Sequence, residues 1–258
     1  MSNPHGTPIW YELLTGNREQ AIDFYEKVVG WTVGPKPEQG PMDYRMIETG
    51  DGAVGGLMEL TPDMVSGGAK PGWLFYIGVD DVDASIARIR ELGGCVHMGP
   101  IDMDGVGRMA MVADPQGVPF YVMRGASDEA STAWSSDEMG KCSWNELVAP
   151  DPDAARLFYA EVFGWTYPDK MEMPKGMGDY VFIDAAGQSI GAVMGTGPGQ
   201  PPGWTFYFRS PDIDAAAANV GERGGTVHAG PMEVPGGDRI IVAADGEGVA
   251  FGVVATGK

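Results

Sequence analysis

Two apolar rhythms alternate along the chain. Residues Ile9 to Leu14 carry the short apolar pattern of a strand. From Arg18 to Val29 the spacing changes: Ala21, Phe24, Tyr25 and Val28 fall on one helical face. Asn17 precedes this helix as an N-cap, with Gln20 as a capping-box partner and Gly30 as the stop. Short strands follow near Arg45–Glu48 and Gly55–Leu60. The next block repeats the order, with a strand over Trp73–Val79 and a helix over Val82–Leu92. Asp81 caps that helix, and Val82, Ile86 and Ile89 form its apolar stripe. Three more strands lie near Cys95–Gly99, Arg108–Ala113 and Val118–Met123.

The same pattern then recurs. Trp10-x-Glu12-Leu13 returns as Trp144-x-Glu146-Leu147. Phe24-Tyr25 returns as Phe158-Tyr159, and Gly30-Trp31-Thr32 as Gly164-Trp165-Thr166. Pro71 to Met123 aligns with Pro202 to Val254, with 24 of 53 positions identical. A period of about 131 to 134 residues is far too long for a solenoid unit and marks the duplication of a whole domain. Helix starts repeat too: Asp151-Pro152 gives an N-cap with proline at the first helical position, and Asp212 caps the last helix. The expected layout is domain 1 over 1–126, an acidic linker over 127–140 and domain 2 over 141–258. Trp134 in the linker is a candidate to pack back onto a domain. Each half splits again into a strand, a helix and two or three strands, so the fold class is α+β.

Composition narrows the function. With 258 residues, 43% hydrophobic and 21% charged, the chain is ordinary for a globular protein of about two domains. Its 40 glycines and 20 prolines fit many tight turns. A net charge of −19 argues against nucleic acid or an anionic membrane as partner. No apolar run approaches about 18 residues, and the first residues lack a basic-then-apolar leader, so a cytoplasmic location is expected. Cys95 and Cys142 cannot make a disulfide framework and are expected as reduced thiols.

Four βαβββ units in two pairs, carrying Phe-Tyr and Gly-Trp around the first helix and an Asp114-Pro115-Gln116-Gly117 turn, resemble the vicinal oxygen chelate superfamily. Glyoxalases, bleomycin-resistance proteins and extradiol dioxygenases belong to it. The resemblance covers nearly the whole chain and implies paired curved mixed sheets, each a cup with helices outside. It also implies a divalent metal inside the cup, held by His, Gln and Glu. The family's ligand positions map onto Trp10, Met58, Leu74 and Tyr121, and onto Trp144, Met194, Thr205 and Gly252. None of these is a His, Glu, Gln, Asp or Cys. A metal of the family type is therefore not expected, although a divalent metal at other positions stays open.

Alternation along the strands gives the rest of the lining. If Trp10 faces inward, so do Glu12 and Leu14, and Glu146 does so in the second half. Tyr76, Tyr121, Tyr207 and Arg209 join them, giving aromatic walls with a carboxylate in each cup, which suits a small-molecule pocket. Each candidate also has a plainer role. Glu12 and Glu146 are either general bases or partners for an arginine. His97 and His228 are acid–base groups or hydrogen-bonded strand ends. Arg108 and Arg239 meet an anionic ligand or pair with carboxylates. The tryptophans stack on a planar ligand or fill space.

The leading expectation is a small-molecule binding protein that takes a hydrophobic or aromatic ligand without the usual metal. The alternative is a lyase, isomerase or dioxygenase that uses Glu12, Glu146, His97 and His228 with a relocated metal or by proton transfer. A protein with vestigial cups is a third option. The fused halves fit a monomer with an internal pseudo-dimer, or a homodimer.

Overall fold

The computed structural model describes residues 3–38, 43–173 and 178–257. The first half runs β1 (Pro8–Thr15), α1 (Arg18–Val28), β2 (Thr32–Val33), β3 (Tyr44–Thr49), β4 (Gly52–Glu59) and α2 (Pro62–Ser66). It continues with β5 (Gly72–Gly78), α3 (Val82–Glu91), β6 (Cys95–Met103), β7 (Gly107–Ala113) and β8 (Pro119–Gly125). The second half runs β9 (Cys142–Ala149), α4 (Pro152–Phe163), β10 (Lys170–Glu172), β11 (Asp179–Ala185) and β12 (Gln188–Gly195). It closes with β13 (Gly203–Arg209), α5 (Ile213–Glu222), β14 (Thr226–Glu233), β15 (Asp238–Ala244) and β16 (Ala250–Thr256). The strands form two curved, mixed eight-stranded sheets, in the orders β2-β3-β4-β1-β5-β8-β7-β6 and β10-β11-β12-β9-β13-β16-β15-β14. Parallel pairing joins β1 to β4, β5 to β8, β9 to β12 and β13 to β16. The α+β class and the duplication both hold.

Most predicted elements lie within a residue or two of the observed ones. The short β2 and the single-turn α2, capped by Thr61, were not foreseen. Asn17 does cap α1, accepting from the Gln20 backbone N–H. Gln20 does not complete a capping box: its side chain meets the Asn17 amide, and the Asn17 backbone N–H donates to Thr15 Oγ1 instead. Segment 127–140 is exposed over much of its length. It also carries the buried Ala133 and bridges back through Trp134 to Cys142.

The chain divides into two compact units, and each takes material from both halves of the sequence. One holds the chain up to Ile9, Leu74–Ser131 and Trp144–Trp204; the other holds Trp10–Trp73, Thr132–Ser143 and Thr205–Lys258. Within each unit the repeated sequence words meet. In one, Trp73 Nε1 donates to Tyr25 OH at 3.0 Å, which donates to Asp245 at 3.1 Å. In the other, Trp204 Nε1 donates to Tyr159 OH at 3.2 Å, which donates to Asp114 at 3.3 Å. Trp31 Nε1 finds the Gly140 carbonyl at 2.6 Å and Trp165 Nε1 the Gly6 carbonyl at 2.7 Å. Buried indole and phenol groups need such partners, and these four indoles and two phenols have them, whereas the buried Trp134 Nε1 and Tyr167 OH do not.

The two aspartates also build turns. Asp114 Oδ1 accepts from the Gln116 and Val118 N–H groups, with Gly117 in the left-handed region; Asp245 repeats this with Glu247, Val249 and Gly248. Burial raises both carboxyls above the ordinary value, against the backbone N–H groups that favour the charged form. Burial likewise pushes the Tyr25 and Tyr159 hydroxyls well up. Of the motif residues, Phe24, Tyr25, Trp31 and Asp114 and their counterparts Phe158, Tyr159, Trp165 and Asp245 are thus core residues, while Gly30, Gly164, Pro115 and Gly117 are exposed positions.

Candidate functional site

The leading strands present alternate faces. On β1, Tyr11 and Leu13 are 1% and 0% exposed, and Trp10, Glu12 and Leu14 point the other way. Glu12 stands opposite Gly56 and Leu14 opposite Met58 on β4. Tyr44 lies over Gly56, where any Cβ would collide with its hydroxyl. Trp10 Nε1 donates to that hydroxyl at 2.8 Å. Trp10 is half-buried and Glu12 is buried.

The second copy repeats this wall. Glu146 stands opposite Ala192, and Val148 opposite Met194. Trp144 Nε1 donates to Tyr180 OH at 2.7 Å, and Tyr180 OH donates to Glu146 Oε2 at 2.8 Å. The phenol is thereby polarised from both sides, and the carboxylate is fixed by a donor. Tyr44 and Tyr180 were missed in the sequence, yet each follows an aspartate, as Asp43-Tyr44 and Asp179-Tyr180. That repeated pair was the available signal.

On the strands that open the other sheet halves, Leu74 and Tyr76 share a face. Tyr76 pairs with Tyr121, their rings stacked at 4.2 Å and 7°. In the counterpart, Thr205, Tyr207 and Arg209 share a face, and Tyr207 lies over Gly252. Arg209 is buried; its guanidinium donates to Asp238 at 2.5 Å and to Thr256 at 3.4 Å, and its Nε has no partner. Asp238, like Tyr44 and Tyr180, was missed in the sequence.

The candidate histidines, His97 and His228, are strand residues open to solvent. His97 Nε2 lies 3.6 Å from Cys95 Sγ, and His228 is exposed on β14. Arg108 pairs with Asp83 and Asp102, and Arg239 with Asp214, so their plainer role is the observed one. Among the described residues no three His, Cys, Asp or Glu side chains gather where they could hold a metal ion. No helix there is long and apolar enough to cross a membrane.

A family model for the Glyoxalase/Bleomycin resistance protein/Dioxygenase superfamily matches residues 8–122 and again residues 141–253. The chain belongs to this superfamily. Among curated relatives it is 33% identical to the "Putative glyoxylase CFP32" of Mycobacterium tuberculosis, over 96% of this chain and 94% of that one. It is 30% identical to the anthracycline biosynthesis protein DauV of a Streptomyces species, over 96% and 93%. Among solved structures it resembles the 2,3-dioxygenase LapB from Pseudomonas, at a TM-score of 0.67 and 15% identity, covering 100% of this chain and 94% of that one. It also resembles a Mn(II)-bound glyoxalase from Novosphingobium aromaticivorans, at 0.67 and 15%, covering 100% and 84%. At such identity the superfamily fold is what these structures share with this chain.

Proposed function

We propose that this superfamily member binds a small hydrophobic or aromatic molecule on its inward sheet faces without the superfamily's usual metal. The observation that carries the reading is the Trp144–Tyr180–Glu146 chain of hydrogen bonds, matched by Trp10 and Tyr44 in the other copy. Where the family resemblance would put ligands to a metal, these walls offer indole, phenol, thioether and aliphatic groups. Trp10, Met58, Leu74, Tyr121, Trp144, Met194, Thr205 and Gly252 form no hard N/O donor set. A divalent metal does not fit them. Hydrogen bonding within the wall orients the indole rings, whose faces suit a flat ligand. The relatives named for anthracycline biosynthesis make a polycyclic aromatic the natural probe. The same relatives support a small-molecule partner over nucleic acid or membrane.

A second reading rests on the same hydrogen bonds. A carboxylate held by a phenol donor, as Glu146 is, can take a proton from a bound substrate. Titrating the tryptophan fluorescence with 1,8-dihydroxyanthraquinone tests the first reading. Saturable quenching is expected, lost in Trp10→Phe/Trp144→Phe and kept in Glu12→Gln/Glu146→Gln. Absence of saturable quenching by flat aromatics sinks it. Turnover of any substrate that vanishes in Glu146→Gln, while binding survives, would favour the second.

A further inference from the structure

The two halves are not equivalent on the sheet face that lies opposite α3 and α5. In the first half, register fixes which side chains share the face of the Tyr76–Tyr121 stack. Met111 stands opposite Tyr121 on β7 and β8, and Met109 opposite Met123. Across the next pairing, Met98 stands opposite Met111 on β6 and β7. Partners opposite one another in a sheet project to the same side. Four thioethers therefore carpet one sheet face beside two stacked phenols. Met98 is 37% exposed, Met111 and Met123 are partly exposed, and Met109 is buried.

The equivalent positions in the second half hold no thioether. They are Ala229, Val242, Ile240 and Val254, with Gly252 in place of Tyr121. At one end that face carries the ion pair of the buried Arg209 with the half-buried Asp238, where the first half has Gly78 and Gly107. The first face carries four thioethers, of which Met98 is the most exposed. The second carries Ile240, Val242 and Val254 with the Arg209–Asp238 ion pair, and a thioether only at its edge strand, where Met232 stands opposite Ile240.

We infer that the β5–β8 face of the first half, and not its β13–β16 counterpart, seats the aromatic ligand. A flat ring system lies among the Met98, Met111 and Met123 thioethers beside the Tyr76–Tyr121 stack. The inference rests on the binding reading above and adds the half, the face and the recognising atoms. Unbranched thioethers re-pack around ring systems of different outline and contact aromatic rings favourably, which suits a range of related polycyclic ligands over one fixed shape. β-Branched side chains hold one rotamer and cannot follow such variation.

The test uses the full chain with 13C in its methionine methyl groups, each signal assigned by a single Met→Leu variant, titrated with 1,8-dihydroxyanthraquinone. Ring-current shifts at Met98, Met111 and Met123, with Met232 unmoved, are expected. Met98→Ala/Met111→Ala should weaken binding about tenfold, and Met98→Leu/Met111→Leu, which keeps the volume, about threefold. Shifts at Met232 with Met98 still would overturn the inference while leaving the binding reading intact. So would shifts at Met98 that follow protein concentration without ligand, since the face would then join two copies of the chain. If neither the methyl signals nor the tryptophan fluorescence responds to the anthraquinone, the binding reading fails and this inference with it.

Discussion

The strands β5–β8 and β13–β16 are copies of one another, and they agree on one face and disagree on the other. The face that packs on helices keeps Phe75/Phe206, Phe120/Phe251 and Val122/Val253, all at most 0% exposed. The opposite face replaces Leu74 by Thr205, Tyr121 by Gly252, Met123 by Val254 and Met111 by Val242. It also replaces Gly78, Gly107 and Gly125 by Arg209, Asp238 and Thr256, which interact with one another. The packed side is held by jigsaw constraints, under which a lost methylene leaves a void. On the other side the residue sizes themselves change between the copies, even at buried positions such as Tyr121 and Leu74, so no shared jigsaw holds them. Difference between two copies within one chain therefore points to the face where chemistry, rather than packing, sets the residue.

If that view is right, damage on the shared face should hurt both halves alike. Asp114→Ala and Asp245→Ala each remove a carboxylate that organises a turn and accepts from a buried tyrosine. Each should cost about 3 kcal/mol, because two or more buried donors lose their acceptor. Urea denaturation would measure both, and a gap of more than about 1.5 kcal/mol between them would break the equivalence. The conservative Asp→Asn variants sharpen the test through pH. Burial raises both native carboxyls above their ordinary value of 3.8. The folded state then holds these protons longer than the unfolded chain does. This contribution is full below pH 3.8 and is lost as pH rises through the higher folded value. Melting curves of the double Asp→Asn variant should lose that part of the decline above pH 3.8.

On the divergent face, Arg209→Gly makes the second half resemble the first. It leaves Asp238 half-buried beside Thr256 without its guanidinium. The cost should be about 2 kcal/mol, below that of a fully buried broken pair because Asp238 keeps 31% of its side-chain surface. The reverse change, Gly78→Arg, meets Ile9 Cγ2 2.9 Å from the new Cβ, so it should destabilise too. A neutral outcome for Arg209→Gly in the same denaturation assay would mean that the pair has no structural weight and is held for a ligand.

How far the sequence reached divides along the same line. Periodicity and caps placed nearly every helix and strand, because those signals lie within a few residues of one another. Asp81, Asp151 and Asp212 each cap the helix they precede. Alternation also set which side chains share a face, as Trp10 and Glu12 do. It could not reveal that Tyr44 lies over Gly56 or that Arg209 meets Asp238. Tyr44 and Gly56 lie on adjoining strands of a hairpin, off direct register, and Arg209 and Asp238 on strands separated by α5 and β14; alternation along one strand does not state which residues of the next strand it meets. The Phe-Tyr and Gly-Trp words served to identify the family, but their physical work in the core was invisible until Tyr25 met Asp245 and Tyr159 met Asp114.

A smaller effect concerns the hydroxyl that orients the wall. Tyr180→Phe deprives Trp144 Nε1 of its acceptor and Glu146 of a donor at a half-buried site. About 1 kcal/mol should be lost, less than for a buried network because water can reach these atoms. The readout specific to the wall is the Trp144 emission, which should shift in Tyr180→Phe and stay in Tyr44→Phe. Equal shifts in both variants would mean that the two walls communicate or that emission reports another tryptophan, which Trp144→Phe would separate.

The smallest expected effect tests the least specialised residues. Arg108 and Arg239 occupy equivalent strand starts and both lie at the surface, the first paired with two aspartates and the second with one. Exposed pairs are screened by salt and hold two mobile side chains at an entropic cost. Arg108→Ala and Arg239→Ala should therefore leave the urea midpoint where it is at 0.5 M salt, and differ little from each other at low salt. They should also leave the anthraquinone affinity unchanged, because aspartates already occupy both guanidinium groups. A clear loss of binding in Arg108→Ala alone would show that its partners yield to an anionic ligand. The difference between the halves would then extend from the methionine face to the strand starts, and Arg108 would join the ligand's contacts.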